Sequence, residues 1–205
     1  MTVSLNSSRL RREPRWDSCA SVRRAELPPV IGDYLLDRGS LTQRLRAACT
    51  GAFQVRLLRQ RWAKPAPGEI RLLKLAYGHG VWMREVQLMC DDAPWVFART
   101  LIPPGTLQGR CRRLKQLGVR PLGEVLFADP GVKRSEIHIA RIMPEHALHQ
   151  AAVQGLSQAP AQIWGRRSVF HIDGGPLLIY ELFITAFNGQ PCQAVFNPLE
   201  PAAHG

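Results

Sequence analysis

Acidic residues are scarce in this chain: 16 Asp and Glu face 27 Lys and Arg over 205 residues, giving a formal net charge of +11. Long apolar runs are missing too. No run approaches the roughly 20 residues that cross a bilayer, so membrane insertion is not expected. The N-terminus has no apolar core of the kind a secretion signal needs. It is rich in Arg and Ser and weakly similar to a mitochondrial transit peptide, but it reads better as a tail on a cytoplasmic protein. The five cysteines (Cys19, Cys49, Cys90, Cys111 and Cys192) are scattered, with no Cys-x-x-Cys spacing. That pattern argues against a zinc site or a disulfide framework and fits a reducing compartment, with Cys90 and Cys111 as small core residues. No P-loop, dinucleotide-binding glycine fingerprint, Gly-x-Ser-x-Gly elbow or His-Glu-x-x-His occurs. His146 and His149 lie three apart in an Ala-rich stretch without a third ligand nearby, so no metal site is expected.

What is present suits one domain. The hydrophobic fraction of 45% is ordinary for a globular chain. The charge gathers in two places: six arginines between Arg9 and Arg24, and Arg110, Arg112, Arg113 with Lys115. Neither cluster has interleaved aromatics or a groove-binding motif, so nucleic acid is not the expected partner. A positive field that draws a small polyanion toward a cleft fits better.

Along the chain, residues 1–24 read as a flexible basic tail and 188–205 as a second tail. Between them, 25–187 form the domain, with 143–162 as a helical or loose insertion. Helices are expected over Val30–Leu36, from Ser40 as N-cap to Cys49, and from Leu107 to Gly118. Strands are expected from Phe53, over Leu72–Leu75, Val81–Cys90, Trp95–Ile102, Glu136–Ile142, Ser168–Ile172 and Leu177–Ile184. Lys64–Gly68 and Val125–Phe127 read as turns. The sum is an α+β domain, an antiparallel sheet of about six strands with helices on one side.

Two strand segments break their own alternation. The even positions of Val81–Cys90 run Trp82, Arg84, Val86, Leu88, Cys90; the odd positions of Leu177–Phe183 run Leu177, Ile179, Glu181, Phe183. Side chains alternate faces along a strand, so Arg84 and Glu181 each share a face with large apolar neighbours. A buried charge needs a partner. Either Arg84 and Glu181 neutralise each other, or they line a closed pocket. There arginine would grip a carboxylate by two parallel hydrogen bonds, and a desolvated glutamate would donate or accept a proton. Arg99, Arg134, Arg141, Arg166 and Arg167 also fall in strands or their approaches.

Five segments then point further. Trp82-Met83-Arg84-Glu85-Val86, Pro94 to Pro103, Leu117 to Gly123, Trp164-Gly165-Arg166-Arg167-Ser168 and Pro176 to Phe183 occur in that order. Together they resemble the chorismate pyruvate-lyase family over about residues 28–187. The resemblance implies an antiparallel-sheet α+β fold with helical flaps over a buried site. It implies release of pyruvate from chorismate to give 4-hydroxybenzoate, the first committed step toward ubiquinone, without metal or organic cofactor. By position, Arg84 matches the residue that holds the ring carboxylate, and Glu181 the acid at the 4-hydroxyl end. Leu122 matches a residue whose backbone contributes to the site. Leu41 falls at a flap position where the family often has methionine, a swap that keeps apolar volume. The insertion and both tails depart from the compact family pattern.

Chorismate carries two carboxylates, so a second cation is expected, with Arg134 or Arg166 as the candidates. The product keeps its carboxylate and hydroxyl, which implies product retention and release limited by flap opening. The partners are thus the substrate and 4-hydroxybenzoate, and a monomer is expected. The alternative is an effector-sensing domain of the same fold without catalysis. Such sensors normally follow a helix-turn-helix domain, for which the stretch before Pro28 is too short.

Overall fold

The structure is a computed structural model describing residues 13–184. The first twelve residues and the whole of the expected C-terminal tail, 188–205, lie outside the described residues. Eight strands form one antiparallel sheet: β1 Asp17–Ser18, β2 Phe53–Ala63, β3 Val81–Cys90, β4 Ala93–Ile102, β5 Lys133–Arg134, β6 His138–Ile142, β7 Ile163–Ile172 and β8 Gly175–Phe183. Their order is β1-β6-β7-β8-β4-β3-β2, with β5 pairing β7. The α-helices are α1 Pro29–Leu36, α2 Leu41–Ala48, α3 Pro67–Leu73, α4 Leu122–Phe127 and α5 Ala147–Ala152; a 3-10 helix covers Gly109–Gln116.

Two hairpins set the frame. β3 turns into β4 through Asp91, which takes the left-handed conformation at φ 49°. β7 turns into β8 through Asp173 and Gly174, at φ 49° and 76°. Two consecutive left-handed residues make the turn whose twist matches that of the strands, so β8 begins at Gly175, two residues earlier than expected. β4 and β8 then pair at the centre, Ala98 opposite Glu181 and Thr100 opposite Ile179.

The sheet is covered on both faces. Over the even-numbered residues of β3 lie α1, α2, the 3-10 helix and α4, burying Ile31, Leu35, Leu45, Leu114 and Leu126 among others. The opposite face carries α3 and α5, with Leu73, Leu148 and Ala152 packed against Val81, Met83, Phe97 and Tyr180. The expected layer of helices on one side therefore covers the face that carries Arg84, and a second layer closes the back.

Several local expectations are corrected. Leu72–Leu75 is not a strand, because Pro67 and Glu69 start a helix there. Proline suits the first helical turn, and the Glu69 carboxylate accepts from the Ala66 N–H at 2.7 Å. Val125–Phe127 is the last turn of α4. Within 143–162, read as helical or loose, α5 is helical and buries Leu148 and Ala152 in the core. Within the stretch read as a flexible tail, Asp17 pairs with Ile139 at the sheet edge, and the Trp16 ring sits 5.5 Å from that of Tyr180. The cysteine reading also changes. Cys49 and Cys90 form a disulfide that ties the end of α2 to the end of β3, across 41 residues of sequence. Only the folded chain brings these two together, so no spacing signals the pair.

Candidate active site

Sheet register places the functional side chains. Arg84 stands opposite Thr100, which stands opposite Ile179, which stands opposite Ser168. One two-residue step along, Val86, Ala98, Glu181 and Arg166 form the next row. Arg84 and Glu181 therefore share a face, two strands and one step apart, or roughly 12 Å between backbones from strand spacing and rise. They do not pair with each other.

Each charge has other partners. Arg84 is 3% exposed, and its Nη2 donates to the Gly118 carbonyl at 2.8 Å and the Arg120 carbonyl at 2.9 Å. Its Nε is buried without a hydrogen-bond partner among the described residues. Glu181 accepts from Arg166 Nε at 2.6 Å, with Arg134 Nη2 at 3.7 Å. Arg134 also donates through Nε to Ser168 Oγ at 2.8 Å and lies over the Phe170 ring at 5.0 Å. Burial pushes the pKa of Arg84 down to about 10. Burial likewise lowers Arg134 to about 10, with the Glu181 carboxylate opposing the shift. Both guanidinium groups stay charged at neutral pH.

Between these charges lies a cavity that opens to solvent at its mouth. Its walls are apolar: Val86 and Ala98 from the floor, Leu41, Leu122 and Leu126 from the cover, and Phe170 and Ile179 at the side. Arg84, Arg134 and Glu181 also line it. Ala98, in the Glu181 row, contributes only a methyl group to the floor of the cavity.

Two chain segments form the cover. One is the α1–α2 connection, where Arg134 Nη1 donates to the Arg38 carbonyl at 3.2 Å. The other is the stretch into α4, held by Arg84 and by Phe127, whose ring packs edge-on against Phe170 at 6.0 Å. The segments meet at Gly123, where a Cβ would come 3.1 Å from Thr42 Oγ1. Arg46 bridges to Glu124 at 2.8 Å beside that contact.

All four residues singled out from sequence (Arg84, Glu181, Leu122 and Leu41) line this one cavity. Of the two candidate second cations, Arg134 lines it and Arg166 stands behind Glu181. Thr100 and Phe170 escaped the sequence reading; Thr100 shares the even face of the hairpin with Arg84, a signal that was available. Arg84 and Glu181 do not neutralise each other: Glu181 pairs with Arg166, and a second pair is buried on the other face of the sheet. Glu85, 2% exposed on the opposite face, accepts from Arg99 Nε at 2.8 Å. His146 and His149 serve local structure: His146 Nδ1 accepts from the Met143 N–H at 2.9 Å, and His149 Nε2 donates to the Pro160 carbonyl at 2.8 Å. Arg110, in the second basic cluster, bridges to Asp173 and, at 2.9 Å, to Asp129.

Among the described residues, no helix is long and apolar enough to cross a membrane. The fold is shared with the effector domain of PhnF from Mycobacterium smegmatis, at TM-score 0.50 and 16% identity over 72% of this chain and 90% of that one. Sequence similarity reaches further than fold. A probable chorismate pyruvate-lyase of Methylococcus capsulatus is 43% identical over 158 residues, covering 77% of this chain and 96% of that protein. A probable chorismate pyruvate-lyase of Aromatoleum aromaticum is 39% identical over 163 residues, covering 78% and 88%. The family model described as chorismate lyase matches residues 15–188, a span that holds every strand of the sheet and both segments of the cover. On that match the chain belongs to the chorismate lyase family.

Proposed function

We propose that this chain eliminates pyruvate from chorismate, leaving 4-hydroxybenzoate for ubiquinone synthesis in the cytoplasm. One observation carries the reading: a cavity with apolar walls has a buried arginine with an unpartnered Nε at one end and a carboxylate at the other. A ring acid with a hydroxyl para to its carboxylate matches that polarity. Arg84 takes the ring carboxylate, and Glu181 accepts the 4-hydroxyl. Arg134 takes the enolpyruvyl carboxylate, because it faces the cavity while Arg166 does not. Leu41 and Leu122 close over the ring, with the Leu122 backbone beside it.

The reaction needs orientation more than reagents. The C3–O bond breaks, and its electron pair leaves on the enolpyruvate oxygen. The C4 proton passes to the Glu181 carboxylate at that end of the cavity, and the C4–H electrons complete the aromatic ring. The enol then takes a proton on carbon to become pyruvate. Aromatisation drives the change, so the protein's part is to fix the conformer, exclude water and steady the departing enolate beside Arg134. The product keeps both end contacts, which supports its retention under the closed cover.

The test is direct. Purified chain is incubated with chorismate while pyruvate and 4-hydroxybenzoate are followed; stoichiometric appearance of both supports the reading. Tight binding of the aromatic acid without turnover would favour an effector-sensing role, and neither binding nor turnover would remove both.

A further inference from the structure

We propose that Arg166 is a positioning residue that joins the aim of Glu181 to the closed state of the α1–α2 cover. The proposal rests on the lyase reading for what Glu181 does, and on geometry alone for the joint. Arg166 is 0% exposed and does not line the cavity, so it meets no ligand directly. Its Nε donates to Glu181 Oε2 at 2.6 Å. Its Nη1 donates to the Tyr34 carbonyl and, at 2.6 Å, to the Asp37 carbonyl.

Those two carbonyls belong to the last turn of α1 and its C-cap. Terminal carbonyls lack partners within a helix and carry the negative end of its dipole, so a buried guanidinium is their natural complement. One planar group thus reaches the reacting end of the cavity on one edge and the hinge of its cover on the other. A lysine cannot do both, because a single ammonium lacks the rigid fork that spans two such directions. When the cover lifts, Nη1 loses its acceptors and Glu181 loses the anchor that fixes its rotamer. Glu181 is correctly placed only under a closed cover.

The experiment uses the full chain and Arg166→Lys, with folding checked by circular dichroism. Three quantities are read: kcat and KM for chorismate, the 4-hydroxybenzoate dissociation rate by stopped flow, and amide hydrogen exchange. We expect kcat to fall about tenfold or more, as for a misplaced reacting group. Product release becomes faster, and exchange accelerates over residues 34–39. Exchange over 117–123, which Arg84 holds, stays at the wild-type rate. A folded variant with wild-type kcat, release rate and exchange would overturn the proposal, because a merely structural arginine moves only stability. Glu181→Ala provides the second arm if the lysine variant does not fold. Loosening one end of the guanidinium must speed exchange over 34–39 at the other, and unchanged exchange there overturns the joint. Should wild type fail to turn chorismate over, the lyase reading falls, and exchange over 34–39 in the two variants alone decides the joint.

Discussion

Arg84 and Glu181 stand on one face of the sheet, two strands apart, with Ala98 and Thr100 between them and no bond from one to the other. Their separation leaves the cavity open between them. A directly bonded pair would have closed the space that a ligand needs.

Removing the anchor should weaken binding more than it weakens the fold. Arg84→Ala is expected to reduce affinity for 4-hydroxybenzoate by about 2–5 kcal/mol, the range for losing one partner of a buried charged contact. Isothermal titration against the aromatic acid checks this, and wild-type affinity in the variant would refute the anchor role.

Glu181→Gln keeps the size of the side chain and removes its charge. Turnover should drop about a hundredfold, the scale of a single positioned acid–base group, with a smaller change in KM. Steady-state assays of the purified variant would show a KM effect alone if Glu181 merely fills space.

Retention predicts a kinetic signature. The first turnover should be faster than later ones, and 4-hydroxybenzoate should inhibit at concentrations no higher than the KM for chorismate. Rapid-quench measurements without an initial burst, together with weak inhibition, would show that the cover is not the slow step.

On the opposite face, burial pushes the Glu69 carboxyl above the ordinary glutamate range, against the opposing bond from the Ala66 N–H. A raised folded-state pKa means that folding favours the protonated acid. Its penalty is absent below the unfolded pKa and complete above the folded one. Glu69→Gln keeps an oxygen for Ala66 and has no charge to bury, so it should raise Tm at pH 8 and change it little near pH 3. Thermal melts at the two pH values check the sign, and the reverse pattern would contradict it.

The Cys49–Cys90 bond closes a loop over a sequence separation of 41 residues. Loop-closure entropy for that length is worth about 4 kcal/mol at most. Urea unfolding of oxidised protein, compared with protein held reduced, should show lower stability in the reduced form. Equal stability would mean that the thiols are not joined in solution.

How much of this was legible depended on whether the signal was local. The β3–β4 hairpin is legible almost to the residue, because two apolar runs of strand length and the Asp-Asp-Ala-Pro break between them all lie within it. β1 and β5, of two residues each, have no periodicity to read and exist only through their partners β6 and β7. The apolar run Leu72–Leu75 reads as a strand, and Pro67 and Glu69 before it carry the helix signal that decides α3. Alternation exposed Arg84 but was applied to one face of β3; the same rule on the odd positions would have marked Glu85. The link from Arg166 to the α1 carbonyls spans more than a hundred residues and has no trace in sequence.

Counted as charge, the site is unbalanced when it is empty. Buried Arg84 and Arg166, with half-buried Arg134, bring three positive charges to a region where Glu181 supplies one negative charge and Asp37 acts on Arg134 and Arg166 from beside it. If the lyase reading holds, a dianionic substrate neutralises that positive excess more fully than a product with one carboxylate. Product affinity is then expected to change with the anion of the salt present, which a titration in chloride against one in acetate checks.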